Sequence, residues 1–267
     1  MATEPDIRQL AQLLDDENDE IAVNVIAALL AREAELGDLP AQLQESSDPL
    51  VRRRAHQLQA ALLFRRRRRE FCARLEEEHP DYLRGLTDLH MLWFDRDSLP
   101  EISEKLFQLV DEGRKRTLND LDDAERLMRR LGFTAEPETT LRPENYCIGT
   151  IIDQCCGSTA LLMGLLREMS GCAEWKIVRT LGEFGLYDGE SRLLLGQGQW
   201  RAVDAPDTGS MEFWDVRSVL RFAGAMLFSS AVNGDSFRYV LTIAQALTGD
   251  EGDEILNFMP YPYGPGK

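Results

Sequence analysis

Apolar residues recur at three- and four-residue spacing through the first quarter of the chain, the pattern of an amphipathic helix. Ile7, Leu10 and Leu14 show this spacing first, and the stretch from Ile21 to Leu30 repeats it. The pattern predicts helices from the beginning of this region to about Phe71.

Helical spacing continues from about residue 80 to 131. Pro100 is expected to break it after Leu99, and Gly132 is expected to end it as a helix-terminating glycine. The segment 134–145 contains two prolines and several polar residues, which predicts a loop.

Beyond Trp175 the pattern changes to short apolar runs separated by Gly, Asp and Ser, typical of antiparallel strands and hairpins. Four strands are predicted, at 176–179, 184–187, 192–195 and 200–203. Helices are predicted again from Phe213 to about Ser230 and from Ser236 to Leu247. The order of helices, one buried helix, a small antiparallel sheet and further helices predicts an α+β fold.

The second helical unit of the N-terminal region resembles a HEAT-type repeat. It reads Asp48-Pro49-Leu50-Val51-Arg52, with Ala55 following, and residues 18–21 open a similar unit before it. In such repeats Asp caps the helix and Pro occupies its first turn. A HEAT-like helical arm is therefore expected at residues 1–75, and a tail without regular structure at 259–267.

Composition narrows the classes of partner. The net charge is −16, which argues against nucleic acid and membrane surfaces as partners. The five arginines at 65–69 are interpreted as a solvated helix face that pairs with acidic neighbours such as Glu70 and Glu76 to Glu78. No apolar run is long enough for a membrane helix, and the N-terminus has no signal-peptide pattern.

The five cysteines have no metal-ligand spacing, so neither a metal site nor a cofactor is expected, and the cytoplasm is the predicted location. Cys156 precedes Gly157-Ser158-Thr159, which can open a helix that is apolar on nearly every face and hence buried. At the positive end of such a helix a thiolate would be stabilised. The alternatives are a redox-reactive or weakly catalytic thiol, and a small buried side chain with a structural or binding role and no reactivity.

Several segments together resemble the transglutaminase-like superfamily, and specifically its SirB-like branch. Cys156 with Ala160 and the apolar residues that follow is similar to the nucleophile helix of that superfamily, and the run 200–206 (Trp-Arg-Ala-Val-Asp-Ala-Pro) is similar to its terminal strand. Residues 142–146 match the branch's Asp-Pro-x-Asn segment, and residues 181–184 fall on its Pro-Gly-His-Phe strand. The resemblance covers about residues 80–258 and implies a papain- or transglutaminase-like domain there.

The resemblance implies a nucleophile position at Cys156 and a third-member position at Asp204, while Glu183 occupies the position of the histidine. Asn145 and Trp200 are the implied binding residues, although Trp200 also fits a place in the core. A carboxylate is a poor general base for a thiol and repels a thiolate. A histidine from the helical side, with His90 the best candidate, could replace it.

The leading hypothesis is a non-catalytic or vestigial transglutaminase-like protein that binds a protein partner through its arm and its former active-site groove. The alternative is an active cysteine hydrolase or acyl-transferase with Cys156 as nucleophile. A pure scaffold, in which Cys156 has no role, is the third possibility.

Overall fold

The computed structural model describes residues 6–180 and 182–249. It has an α+β architecture with a helical N-terminal region, a small antiparallel sheet and C-terminal helices, as predicted. Contacts divide the described residues into two compact units: unit 1 comprises residues 6–69 and 248–249, and unit 2 comprises residues 70–180 and 182–247. The sequence placed its boundaries at 75 and 80, and the predicted tail at 259–267 lies outside the described residues.

Unit 1 is built from four helices of the described chain, two of them short and the last of them long. The chain forms α1 (Ile7–Gln12), α2 (Asp19–Ala31), α3 (Leu39–Gln44) and α4 (Pro49–Glu76), the last of which continues into unit 2. The Asp48 carboxylate accepts a hydrogen bond from the Leu50 N–H at 2.7 Å, and Pro49 is the first residue of α4. The capping role predicted for Asp48 is therefore confirmed. The core of the unit is aliphatic, with Leu14, Leu29 and Leu58 fully buried.

The arginine run does not form a solvated face. Arg65 and Arg68 are buried, and Arg65 Nη1 donates a hydrogen bond to the Leu30 carbonyl at 2.7 Å. Arg69 pairs with Glu33 at 3.0 Å. The predicted solvated face was wrong for the two buried arginines. Five consecutive residues cover more than one full turn of a helix, so some of them must face inward. Positions 65 and 68 share one face of the helix.

Unit 2 begins with three more helices, α5 (Tyr82–Trp93), α6 (Leu99–Arg114) and α7 (Leu121–Leu131). Gly132 ends α7 in the left-handed conformation with φ 76°, as predicted. The predicted break after Leu99 was wrong, since α6 begins at Leu99 and Pro100 lies in its first turn. Proline fits there because the first helical N–H groups have no intrahelical partner.

The later helices of the chain are α8 (Ile148–Gln154), α9 (Thr159–Ser170), α10 (Val216–Asn233) and α11 (Phe237–Thr248). Helix α9 is the centre of unit 2, and residues such as Ala160, Leu162 and Leu166 are completely buried. A Cβ on Gly164 would lie 2.3 Å from Tyr82 Cζ, so glycine is what allows α5 to approach α9 this closely.

The strands form two small sheets. Strands β1 (Thr134–Glu136) and β2 (Cys156–Ser158) pair in parallel. The other five are β3 (Lys176–Thr180), β4 (Glu183–Tyr187), β5 (Arg192–Leu195), β6 (Arg201–Asp204) and β7 (Glu212–Trp214), in the antiparallel order β6-β5-β4-β3-β7. The four strands β3 to β6 were predicted. Strand β1 lies in a segment that was predicted to be a loop. Strand β2 lies where a helix was predicted to start, and β7 ends where the next helix was predicted to begin.

Candidate functional site

Cys156 lies in strand β2 and not in the first turn of a helix. Cys155 before it has a positive φ of 50°, and residues 156–158 then run extended to pair with residues 134–136 of β1. Helix α9 begins only at Thr159, with Ser158 as the residue that precedes it. The predicted buried helix opened by residues 157–159 is confirmed, but Cys156 lies three residues before its first residue, because backbone pairing with β1 holds the cysteine in a strand.

The hydrogen-bond partner of the Cys156 thiol among the described residues is a carboxylate. Cys156 is half-buried, and its Sγ donates to Glu136 Oε1 at 3.6 Å. Burial and the charge and hydrogen bond of Glu136 raise the pKa of the Cys156 thiol, and Arg142 offsets only part of this effect. This rise in the pKa of the thiol is opposite to the fall expected for a cysteine at a helix N-terminus. The thiol is the favoured form at neutral pH.

The start of α9 is occupied by Glu138. Its carboxylate accepts hydrogen bonds from the Ala160 N–H at 3.0 Å, from Ser158 Oγ at 3.0 Å and from Tyr146 Oη at 3.2 Å. Burial raises the pKa of Glu138, against these hydrogen bonds, which favour its charged form. A carboxylate is the natural complement to the unpaired N–H groups and positive potential of a helix start.

Glu138 was missed at the sequence level because it lies 20 residues before Ser158 in a segment predicted to be a loop. One signal was present. The first turn of α9 has no acidic residue, so its N–H donors need an acceptor from elsewhere in the chain.

Asn145 lies in a short 3₁₀ turn, Pro143–Tyr146, and is buried with 6% of its surface exposed. Within the described residues its amide Nδ2 has no hydrogen-bond partner.

Trp200 is also buried, and its indole Nε1 donates to the Phe133 carbonyl at 2.6 Å. Arg129 Nη2 donates to the Trp200 carbonyl at 2.6 Å. These contacts place Trp200 in the core that supports β6, as the second interpretation of this residue proposed.

The structure does not bring Glu183 and Asp204 together. Glu183 is the first residue of β4 and pairs with Thr180. Asp204 is the last residue of β6, pairs with Arg192, and has a side chain that is 94% exposed. The strand registers place Asp204 level with the far end of β4, five residues or about 16–17 Å along the strands from Glu183. Neither carboxylate is a hydrogen-bond partner of Cys156 Sγ, whose partner among the described residues is Glu136.

His90, the proposed replacement base, is a core residue. It is fully buried, its Nε2 lies 3.0 Å from Asp97 Oδ2, and its Nδ1 accepts from the Gly149 N–H at 3.3 Å. Gly149 is required at this contact, because a Cβ there would lie 2.6 Å from His90 Cε1. Nδ1 joins α5 to α8 and Nε2 is engaged by Asp97 in the loop before α6, so the imidazole has no nitrogen left for a thiol.

The His90 environment leads to a prediction of pH dependence. Burial lowers the pKa of His90, while Asp97 and Asp153 oppose this shift. The folded state then binds fewer protons than the unfolded state, in which the pKa is about 6.5. We expect the free energy of unfolding to fall as the pH drops below about 6.5. Urea unfolding of the wild type and His90→Gln between pH 7.5 and about 5 measures this. Identical pH slopes in the two proteins would contradict it.

No family model, no curated protein and no solved structure matches this chain. Among the described residues, no cluster of three or more His, Cys, Asp or Glu side chains could hold a metal ion. None of the described helices is long and apolar enough to cross a membrane. The fold and the site define an α+β protein whose half-buried thiol is paired with a carboxylate.

Proposed function

We propose that this chain is a non-catalytic or vestigial transglutaminase-like protein that acts by binding a protein partner. The observation that carries the proposal is the pairing of Cys156 Sγ with Glu136, which raises the pKa of the thiol. Cysteine hydrolases and acyl-transferases need the thiolate and a group that shuttles its proton. The neighbouring negative charge of Glu136 disfavours the thiolate, and no imidazole is a hydrogen-bond partner of the Cys156 thiol among the described residues.

The positions carried over from the transglutaminase-like resemblance support the same conclusion. Glu183 and Asp204 lie at opposite ends of their strands, and Asp204 is engaged with Arg192. The best histidine candidate is committed to Asp97 and Gly149. Asp204 and His90 therefore have other, structural contacts, and Glu183 lies apart from Asp204.

Protein binding is proposed from the helical arm and from the charge of the chain. The arm resembles in sequence the HEAT-type helical repeats, a class that presents extended binding surfaces. A net charge of −16 disfavours nucleic acid and anionic lipid as partners. At least two arginines of the basic run are buried and are not presented as an anion-binding patch.

Iodoacetamide labelling of Cys156 against pH tests the proposal. We expect labelling to rise only above the pH of an ordinary thiol, about 8.5, when modification is quantified by peptide mass spectrometry in a Cys155→Ser background. Glu136→Gln removes the adjacent negative charge, so its labelling at pH 8 is expected to be several-fold faster. Glu183→Gln is the matched control and should leave the rate unchanged.

A labelling rate that already reaches its plateau below pH 7 would contradict the proposal and favour the alternative, an active cysteine hydrolase or acyl-transferase.

Partner capture adds a second measurement. Cys156→Ala should retain any cross-linked partner of the wild type, since a non-catalytic protein does not hold its partner through a covalent bond to the thiol. Loss of that partner in Cys156→Ala would also count against the proposal.

A further inference from the structure

The contact between His90 of α5 and Gly149 of α8 has fixed donor and acceptor roles. The Gly149 N–H can only donate, so His90 Nδ1, which lies 3.3 Å away, is the acceptor and carries no proton. The ring proton therefore lies on Nε2, which donates it to Asp97 Oδ2 at 3.0 Å. The contact requires a neutral imidazole in this one tautomer.

Protonation of Nδ1 would break this contact. An imidazolium has N–H donors on both nitrogens, so the new N–H would face the Gly149 N–H and neither would have an acceptor there. Gly149 is the second residue of α8, and its N–H belongs to the first turn, at the positive end of the helix dipole. The side chain of Cys147, the residue before α8, does not cap the helix, so it does not duplicate the contribution of His90.

Charged groups on the neighbouring elements act on the same ring. Asp97, in the loop before α6, and Asp153 of α8 favour the protonated form, while burial has the larger effect and lowers the pKa of His90. Lys105 of α6 pairs with Asp153 at 2.7 Å, which offsets part of that carboxylate's charge. In an open state, in which the ring reaches water, the imidazole takes up a proton at about pH 6.5. Acid therefore favours the open state over the closed one.

Helix α8 connects this contact to the strand that holds Cys156. Ile151, on the next half-turn of α8, packs against β2, since a Cβ on Gly157 would lie 2.8 Å from Ile151 Cγ1. Cys147, at the start of α8, is completely buried. Release of α8 would expose the Cys147 thiol and would remove the packing of Ile151 against β2.

We propose that protonation of His90 is an acid-sensitive switch that releases the start of α8 from α5, exposes the Cys147 thiol and loosens β2 around Cys156. At neutral pH the His90–Gly149 hydrogen bond holds α8 in place. Weak acid opens this segment while the rest of unit 2 stays folded. The inference goes beyond the proposed function and does not depend on whether Cys156 is reactive.

Labelling of the Cys147 thiol against pH tests the switch. The probe is a dipyridyl disulfide, which reacts with thiols in weak acid. Cys155→Ser, Cys156→Ser is the background, and peptide mass spectrometry quantifies the label on Cys147. Each rate is divided by the rate of the urea-unfolded chain at the same pH, which removes the ionisation of the thiol itself. Because opening is coupled to the uptake of one proton, the normalised rate should rise roughly 5- to 10-fold from pH 7.5 to 5.5.

Three further variants in the same background identify the titrating group. In His90→Gln the amide oxygen can still accept from the Gly149 N–H but does not titrate, so the normalised rate should be independent of pH. Asp97→Asn removes a charge that stabilises the protonated ring in the closed state, so its rate should rise further than that of the parent at pH 5.5. His79→Gln removes an exposed histidine of the same unit, and as the matched control it should follow the parent.

A normalised rate that stays flat in the parent, or that rises equally in His90→Gln, would overturn the switch. If His90→Gln does not fold, as judged by circular dichroism, a rise in Asp97→Asn no larger than in the parent would overturn it.

Hydrogen exchange of the wild-type chain shows whether the opening is local. Relative to their intrinsic exchange rates, the amides of residues 149–158 should lose protection at pH 5.5 while those of α9 keep it. Equal loss of protection in α9 would mean that unit 2 unfolds as a whole, and this result would also overturn the switch.

Discussion

Replacing Arg54 by methionine is expected to lower the free energy of unfolding of unit 1 by about 2–4 kcal/mol. Arg54 is 1% exposed, and its guanidinium joins the first turn of the unit to α4. Nη1 donates to the Leu14 carbonyl at 3.0 Å and to the Asp16 carbonyl, and Nη2 donates to Asp19 Oδ1 at 3.0 Å. Methionine keeps most of the apolar volume, so the loss reports the carbonyls that are left without donors.

Arg53 provides the matched control for this prediction. Its guanidinium lies 3.6 Å from the same Asp19 carboxylate, but its side chain is 63% exposed. Arg53→Met should therefore cost less than ~0.5 kcal/mol. Urea unfolding followed by circular dichroism measures both variants, and hydrogen exchange in α2 shows that the loss is in unit 1. Equal losses would mean that the buried hydrogen bonds contribute nothing beyond the surface ion pair.

Local patterns were sufficient for most of the fold. The alternation and punctuation of residues 176–203 identified four strands, because each has apolar residues that face the core and is bounded by turn residues. Gly132 and Asp48 were identified in the same way, since a left-handed helix end and a capping carboxylate depend on residues close in sequence. Strands β1, β2 and β7 could not be found, because each is three residues long and depends on a partner strand distant in sequence.

The candidate site was less predictable than the fold, for a related reason. Whether Cys156 gains or loses thiolate character depends on which charge reaches its sulfur, and Glu136 does so from 20 residues away. The side chain that stabilises the start of α9 is Glu138, which no motif connects to Ser158 or Ala160. The cysteine itself could be singled out from sequence, whereas its electrostatic environment is set by the pairing of β1 with β2.

Glu138→Ala is expected to lower the free energy of unfolding of unit 2 by about 2–3 kcal/mol. The change removes the acceptor for Ser158 Oγ, for Tyr146 Oη and for the Ala160 N–H at the start of the central helix. Glu136→Ala is the matched control, since Glu136 is a half-buried carboxylate two residues earlier, and its side chain contacts Cys156 Sγ instead. The control should lose less than ~1 kcal/mol, as measured by urea unfolding of both variants. A loss in Glu136→Ala as large as that in Glu138→Ala would contradict the capping role.

Glu138→Gln separates the hydrogen bonds from the charge. The amide oxygen can still accept from the Ala160 N–H, so this variant should lose less stability than Glu138→Ala. The raised pKa of Glu138 means that the folded state binds a proton more readily than the unfolded state. Proton binding by Glu138 therefore stabilises the folded state. This stabilisation is fully present below the pKa of the unfolded state, near 4.3, and is lost as the pH rises through the pKa of the folded state. The stability of the wild type relative to Glu138→Gln should thus increase as the pH is lowered from 7 toward about 4.5. A difference that stays constant over this range would show that Glu138 keeps an ordinary pKa and caps α9 as a fully charged group.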